Sequence, residues 1–355
     1  MRQESLDFLK RLLETPSPSG FEQPVQRLVR HRMKPFADEI RTDVHGNTIV
    51  AMHPEGSPRI MLAGHCDQIG FMVRYITDEG FVHFAPIGGV DATVVPGLRL
   101  TVHTAKGPVE GVVGRKAVHL MKPEERGTAK IELTDLWLDI GAKNRKEAEK
   151  RIALGDPITY QLGVVRMGGD LIASPGMDDK TGTFVVMEAL RLIRASGRCR
   201  SAVFAVSTVQ EELGLRGART SCFGLDPQVG IAVDVTHSAD YPGGEKKVTG
   251  DIALGKGPVI SIGPNINPVL GGMLLNTAKK KRIPCQREGE PTATGTDANA
   301  IQITRAGVAA ALVSVPSRYM HTPVEVVSLP DLENAARLLA EVCLAITPKT
   351  DFVPR

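Results

Sequence analysis

The hydrophobic pattern at the two ends of the chain predicts an α/β domain. Leu6, Leu9 and Leu13 repeat at helical spacing in the first segment, and the helix they predict ends at Pro16. Beyond about residue 163, apolar runs rich in Val and Ala alternate with helical segments, as is typical of strands buried on both faces of a sheet. The predicted strands are 48–52, 59–63, 202–209, 231–235 and 308–315, and further helices are predicted near 25–33, 184–193 and 329–346.

The middle of the chain has a different pattern. Between about residues 71 and 160, short segments alternate apolar and polar positions and are interrupted by glycine, which favours a small β-barrel or sandwich. Strands are predicted at 71–76, 81–85, 98–104 and 109–113, with one helix at 144–153. We therefore expect an α/β domain made of residues 1–68 and 165–355, with a β-rich domain of residues 69–164 inserted between its two parts.

Composition and charge exclude several classes of protein. The chain of 355 residues is 42% hydrophobic and 23% charged, as in ordinary globular proteins. Its net charge is only +3 and its basic residues are spread along the sequence, so we expect no nucleic-acid partner. No apolar run approaches the roughly 18 residues of a membrane span, so we expect no membrane attachment. Five scattered cysteines without a C-x-x-C pair indicate reduced thiols and a cytoplasmic location.

Acidic residues and histidines stand at the ends of the predicted strands or before a predicted helix. In open α/β sheets, ligands bind in the crevice beyond the carboxyl ends of the strands. Imidazoles and carboxylates together suit zinc, with cobalt or manganese as lesser alternatives, and the number of candidates suggests two ions. The candidates are His65, Asp67, Asp178, Asp179, Glu211, Glu212, Asp234, His237 and His321.

Each candidate also has an ordinary structural explanation. An aspartate before a helix is most often an N-cap, and a glutamate at a strand end is usually solvated. We expect Glu211 and Glu212 to lie on extended chain at the end of a strand, where successive residues point to opposite sides, so one can bind metal while the other acts as general base. That arrangement disfavours a glycosidase, in which two carboxylates about 5 Å or more apart face each other across the glycosidic bond.

Six motifs follow one another along the chain. They are GHCDQIGFMV at 64–73, DDKTG at 178–182, EELG at 211–214, DVTH at 234–237, GTDA at 295–298 and RYMHTP at 318–323. In this order they resemble the glutamyl-aminopeptidase or tetrahedral (TET) aminopeptidase family of dinuclear zinc metallopeptidases, whose members are often labelled endoglucanases. The resemblance extends from the first helix to the last, and it includes LDIGA at 138–142 in the inserted domain.

The resemblance implies a fold, a set of ligands and an assembly. The fold is an α/β/α sandwich whose inserted β-barrel-like domain drives self-association into dimers and often dodecamers. The peptide bond between Asp178 and Asp179 is expected to be cis. For two divalent ions per subunit, the implied roles are His65 and Asp234 on the first ion, Asp178 as the bridge, Glu212 and His321 on the second, Glu211 as general base, and Asp67 as the carboxylate that orients His65.

The expected activity is removal of the first residue from short peptides with a free N-terminus. Another hydrolase that acts on N-modified peptides or on a small amide metabolite is the alternative, and a scaffold that has lost its metals is a third. Gln68 stands where the family frequently has Glu, and Lys180 where it frequently has Arg. These departures bear on the substrate preference and on local salt bridges, and neither residue is among the expected metal ligands. The sequence leaves open the preferred N-terminal residue, the metal and the oligomer size.

Overall fold

The computed structural model of the chain describes residues 1–122 and 130–355. It divides into two compact units. The first consists of residues 1–68, 163–320 and 324–355, and the second of residues 69–162 and 321–323. The short segment 321–323 clusters with the second unit although it lies far from it in sequence, and the hydrophobic pattern gives no sign of this.

Helices and strands alternate in the first unit, and strands dominate the second. The helices are α1 (Gln3–Glu14), α2 (Gln23–Met33), α3 (Arg145–Arg151), α4 (Met177–Ser196), α5 (Arg216–Leu225), α6 (Lys246–Thr249), α7 (Pro268–Lys281), α8 (Asp297–Gln302) and α9 (Leu329–Ala345). The strands are β1 (Glu39–Thr42), β2 (Thr48–Met52), β3 (Arg59–His65), β4 (Gly70–Ile76), β5 (Val82–Ile87), β6 (Arg99–Thr104), β7 (Gly107–Gly114), β8 (Trp137–Asp139), β9 (Pro157–Tyr160), β10 (Val165–Arg166), β11 (Leu171–Ala173), β12 (Ala202–Thr208), β13 (Val229–His237), β14 (Val259–Ile262), β15 (Gln286–Gly289), β16 (Ala309–Ser317) and β17 (Val326–Ser328).

An eight-stranded mixed sheet forms the centre of the first unit. Its strand order is β1-β2-β12-β3-β13-β16-β14-β15. The four central strands β12, β3, β13 and β16 are parallel, so their carboxyl ends meet at one edge of the sheet. These strands are almost entirely buried, as their apolar runs predict.

Helix α4 packs closely on the sheet because two glycines meet. A Cβ atom added to Gly64 on β3 would lie 2.4 Å from the main-chain carbon of Gly182 on α4, so only glycine permits this approach. The element begins at Met177, but the backbone of Asp178 and Asp179 is not helical, so the regular helix starts at Lys180, four residues before the predicted start. Its first turns contain Thr181, Gly182 and Thr183, which are poor helix formers, and their burial against β3 overrides that preference.

The second unit is built around a closed barrel with the strand order β4-β5-β8-β7-β6-β9. Neighbouring strands are antiparallel. The ring of Phe71 contacts those of Phe84 and Tyr160 edge to face, at centroid distances of 5.1 and 5.5 Å, and these aromatic contacts fill the barrel. The predicted α/β fold class, with a small β-barrel in the middle of the chain, is confirmed.

Each of the described helices falls short of the length or the apolar character that a membrane span requires.

The contact between the two glycines can be tested by adding one methyl group. Gly64→Ala should lower the free energy of unfolding by at least about 2 kcal/mol, because the new Cβ has only main-chain atoms to displace. Gly272→Ala is the matched control, since its Cβ meets nothing within 4 Å and alanine favours the helix by roughly 0.5–1 kcal/mol. Thermal unfolding midpoints measure both effects. Equal midpoints for the two variants would contradict the close packing of α4 on β3.

Candidate metal centre

His65, the last residue of β3, is buried at the carboxyl edge of the sheet. Its Nδ1 lies 3.0 Å from the main-chain oxygen of Asp67. A carbonyl oxygen can only accept, so this contact fixes a ring proton on Nδ1 and assigns metal binding to Nε2, which must lose any proton of its own to coordinate an ion. The local chain therefore holds the ring in the orientation that binds a metal ion.

Carboxylates surround this Nε2 atom. Asp178 Oδ1 lies 3.1 Å away, Glu211 Oε2 3.7 Å and Asp234 Oδ1 3.9 Å. The ligand atoms of His65, Glu211 and Asp234 all lie within 4.8 Å of one another, and the carboxylates of Asp178 and Glu212 are also within 4.8 Å of each other. Asp178 thus stands between two potential metal positions.

The two neighbouring aspartates at the start of α4 have different roles. Asp179 accepts hydrogen bonds from the amide of Gly182 at 2.8 Å and from the amide of His65 at 3.3 Å, so the N-cap explanation applies to Asp179. Asp178 faces the ring of His65 instead, and its own amide donates to Glu325 Oε2 at 3.2 Å. The peptide bond between the two aspartates is cis, as predicted.

The prediction that Glu211 and Glu212 lie on an extended strand is wrong. Strand β12 ends at Thr208, and Gln210 adopts a left-handed backbone conformation with φ of 53°. Both glutamates lie in the turn that follows, where the amides of Gly214 and Leu215 donate to the Glu211 carbonyl at 2.8 Å. The turn, and not strand alternation, directs Glu211 towards His65 and Glu212 towards Asp178.

The carboxylate of Asp67 holds that turn in place. Its oxygens accept the amides of Glu211 at 3.0 Å and Glu212 at 3.3 Å, together with the hydroxyl of Ser19 at 2.6 Å. Its Oδ1 also lies 3.4 Å from Nδ1 of His65. Asp67 therefore connects the imidazole to both glutamates, whereas the sequence predicted a contact with His65 alone.

Burial and mutual repulsion favour the protonated forms of Asp234 and Glu211. Burial is the main cause that raises the pKa of Asp234 well above its ordinary value, and that of Glu211 to about 10, and nearby carboxylates add to it. For His65, burial opposes the charged ring, but the carboxylates around it, Glu211 first, raise its pKa well above the ordinary value. Ionising Asp234 and Glu211 together therefore requires added positive charge, and divalent cations fit this donor set.

Comparison with known proteins places the chain in a family. The family model for M42 glutamyl aminopeptidase matches residues 46–338. The chain belongs to this family. It is 39% identical over 351 residues to a lysyl aminopeptidase of Pyrococcus furiosus, covering 98% of this chain and 99% of the relative. It is 30% identical over 354 residues to a glutamyl aminopeptidase of Lactococcus lactis, covering 97% of each. The chain is thus a peptidase, and its family uses divalent metal ions.

Solved structures show the same fold. A TET aminopeptidase from a marine-sediment Thaumarchaeota archaeon has a TM-score of 0.93 at 35% identity and covers 98% of each chain. The TET1 peptidase of Pyrococcus horikoshii, which can assemble into a tetrahedron or a large octahedral shell, has a TM-score of 0.85 at 31% identity, covering 96% of this chain and 99% of its own. A Thermotoga maritima protein described as an endoglucanase reaches 0.75 at 27% identity, covering 95% and 98%.

Two further histidines, His237 and His321, are candidates from the sequence. His237 is exposed at the end of β13. His321 belongs to the second unit, where its Nδ1 lies 2.8 Å from the carbonyl oxygen of Gly89. Its role as a ligand remains a prediction.

Sequence reasoning missed several buried acids near the cluster. Asp297 is the first residue of α8 and accepts the hydroxyl of Thr208 at 2.6 Å, and burial raises its pKa to about 6. The sequence could have indicated Asp297 through its place in the GTDA motif. Glu22 accepts the amides of Gly20 and Gln210, and burial raises its pKa to about 7. Neither Glu22 nor Glu325 is marked by a motif.

The two departures from the common family pattern contact each other. Lys180 is fully buried, and its Nζ donates to the carbonyl of Thr15 at 2.7 Å and to the side-chain oxygen of Gln68. Burial lowers the pKa of Lys180 to about 7. Gln68 and Lys180 thus keep a polar contact with each other on the side of α4 next to the metal centre. We therefore expect metal binding to be retained despite the two departures.

The raised pKa values predict how pH acts on the metal-free protein. Above the ordinary carboxyl range near pH 4, the unfolded chain has released protons that the folded cluster retains, so the free energy of unfolding falls as pH rises toward about 10. Metal ions take the place of those protons, and the metal-loaded protein should lose less stability. Unfolding midpoints between pH 6 and pH 9, with and without chelator, measure this.

Lys180 also titrates in this pH range, but it contributes equally to the curves measured with and without chelator. The difference between the two curves therefore reports on the carboxylates around His65. Curves that run parallel would show that the carboxylates around His65 are not the metal ligands.

Proposed function

We propose that the chain is a two-metal aminopeptidase that hydrolyses the N-terminal residue from short peptides. The observation that supports this most strongly is the convergence of Asp178, Glu211 and Asp234 on His65 Nε2, all within 3.9 Å. A single ion needs three or four protein ligands, and here a second carboxylate contact, from Asp178 to Glu212, adjoins the first group. Two ions that share Asp178 would use all of these groups.

His65 and Asp234 would hold the first ion, Asp178 would bridge, and Glu212 and His321 would hold the second. Zinc suits this mixture of nitrogen and oxygen donors best, with cobalt or manganese as alternatives. When bound, such ions polarise a carbonyl oxygen and lower the pKa of water toward neutrality.

Glu211 would serve as the general base. Its carboxylate is buried, faces His65, and is fixed through its amide to Asp67. In that position it can take the proton of the attacking water and pass it to the leaving amine. The free α-ammonium group of the substrate would lie among the remaining carboxylates, which would restrict cleavage to the first residue.

Assembly and location are further parts of the proposal. The second unit exposes Val112, Val118 and Leu120, apolar side chains suited to self-association into dimers and into larger shells such as dodecamers. The five cysteines are free and four are buried, which fits the reducing cytoplasm.

The proposed activity can be tested with a panel of aminoacyl p-nitroanilides, free or N-acetylated, before and after chelation, with metal content measured on the same samples. We expect two ions per chain and release from the free substrates only, abolished by chelator. Release from acetylated substrates alone would favour a deblocking hydrolase. Metal-free protein with no release after incubation with zinc would favour a scaffold.

Glu211→Gln should lower kcat by at least about 10²-fold, because the amide cannot accept the proton of the attacking water. Metal content and unfolding midpoint should remain close to those of the parent. Glu39→Gln, an exposed site on β1, is the control for a lost carboxylate. Activity retained in Glu211→Gln would exclude this residue as the base.

Asp178→Ala should remove both ions together, because the bridging ligand contributes to both positions. Elemental analysis after dialysis gives the ratio of metal to chain. A variant that keeps two ions, or that loses only one, would show that Asp178 does not bridge.

A further inference from the structure

A row of polar side chains extends from the metal centre across one face of the sheet. Asp234 on β13 pairs with Ser314 on β16, and Ser314 pairs with Val259 on β14. Ser261, two residues after Val259, pairs with Glu288 on β15. Paired residues share a face, as do residues two apart on a strand. Asp234, Ser314, Ser261 and Glu288 therefore all lie on the same face.

A direct contact connects Glu288 to the strand that carries Asp234. Thr236 follows Asp234 by two residues on β13 and lies on the same face, about 7 Å farther along the strand. Its hydroxyl donates to Glu288 Oε2 at 2.7 Å. The carboxylate of Glu288 is thereby held against β13, at the residue two positions beyond Asp234.

Two serine hydroxyls on this face lack hydrogen-bond partners. Ser261 is fully buried and Ser314 is 1% exposed, and neither Oγ atom has a partner among the described residues. Leaving such groups unsatisfied in the interior is unfavourable, and native structures rarely do so without a ligand or water. Ser261 Oγ, directly paired with Glu288, is thus available to a polar group of a ligand.

The negative charge at this position is not balanced by a basic side chain. Glu290, two residues after Glu288, adds a second carboxyl group, and burial followed by Glu290 raises the pKa of Glu288 to about 7. Neither glutamate forms an ion pair within the described part of the chain. Arg287 lies between them in sequence and is exposed on the opposite face.

We propose that Glu288, with Ser261 and Glu290 beside it, recognises the side chain of the substrate's N-terminal residue, and that this residue is lysine or arginine. The assignment rests on the proposed function, since the α-amine must lie at the metal centre for the side chain to extend along β13 toward Glu288. The long stem of a basic residue spans that interval, and its charged end supplies the missing positive charge. An acidic side chain would instead add a third carboxylate next to Glu288 and Glu290, whose negative charge has no basic partner among the described residues.

The sharpest test compares lysine with norleucine, which has the same stem without the charge. With p-nitroanilides of both, we expect kcat/KM to favour lysine by about tenfold or more, the scale of a charge-assisted hydrogen bond. Glu288→Gln should bring the ratio close to one, mainly through KM for lysine, while norleucine turnover stays within about threefold. Glu55→Gln, exposed and far along the chain, is the matched control and should keep the preference.

Binding separates this proposal from the proposed function. Calorimetry with lysine amide and norleucine amide reports the subsite even if no p-nitroanilide is cleaved. Tighter binding of lysine amide that Glu288→Gln abolishes supports the subsite. Equal binding of the two amides, a preference for a glutamyl substrate, or a lysine preference unchanged in Glu288→Gln would overturn it, and the aminopeptidase assignment could still stand.

Discussion

Several carboxylates buried around one imidazole are the constraint on which the rest of this structure depends. Asp178, Glu211 and Asp234 all approach Nε2 of His65. Burial and repulsion raise the pKa of Glu211 and of Asp234, so both favour the protonated form when no cation is present. A fold keeps such groups together only when the surrounding elements hold them and cations balance them. Here the close contact of Gly64 with Gly182 brings α4 against β3, and the carboxylate of Asp67 fixes the amides of Glu211 and Glu212.

The two proposals place hydrolysis and the selection of substrate on different parts of one sheet. In them, the parallel strands β3 and β13, with the turn after β12, supply the groups for hydrolysis, and strands β14 and β15 supply Ser261 and Glu288. Residues at the metal edge could then stay the same while those on β14 and β15 change. Such a separation would be compatible with the names of two relatives, which specify lysyl and glutamyl substrates, side chains of opposite charge.

Much of this organisation could be predicted from the sequence because it depends on local pattern. Apolar runs marked the buried central strands, and polar residues at their ends marked His65 and Asp234. What could not be predicted depends on contacts between distant segments. The early start of α4 needs burial against β3, the position of Asp179 depends on the amide of His65, and the approach of Glu325 to Asp178 links residues 147 positions apart. The turn at Glu211 follows from the backbone of Gln210, which hydrophobic periodicity does not encode.

The most direct test of the central claim is anomalous diffraction from crystals of the zinc-loaded protein, collected on both sides of the zinc absorption edge. Two anomalous peaks per chain are predicted, one beside His65 and Asp234 and one beside Glu212, with the carboxylate of Asp178 contacting both. A single peak, or peaks that do not contact Asp178, would contradict the claim that two ions balance the buried carboxylates.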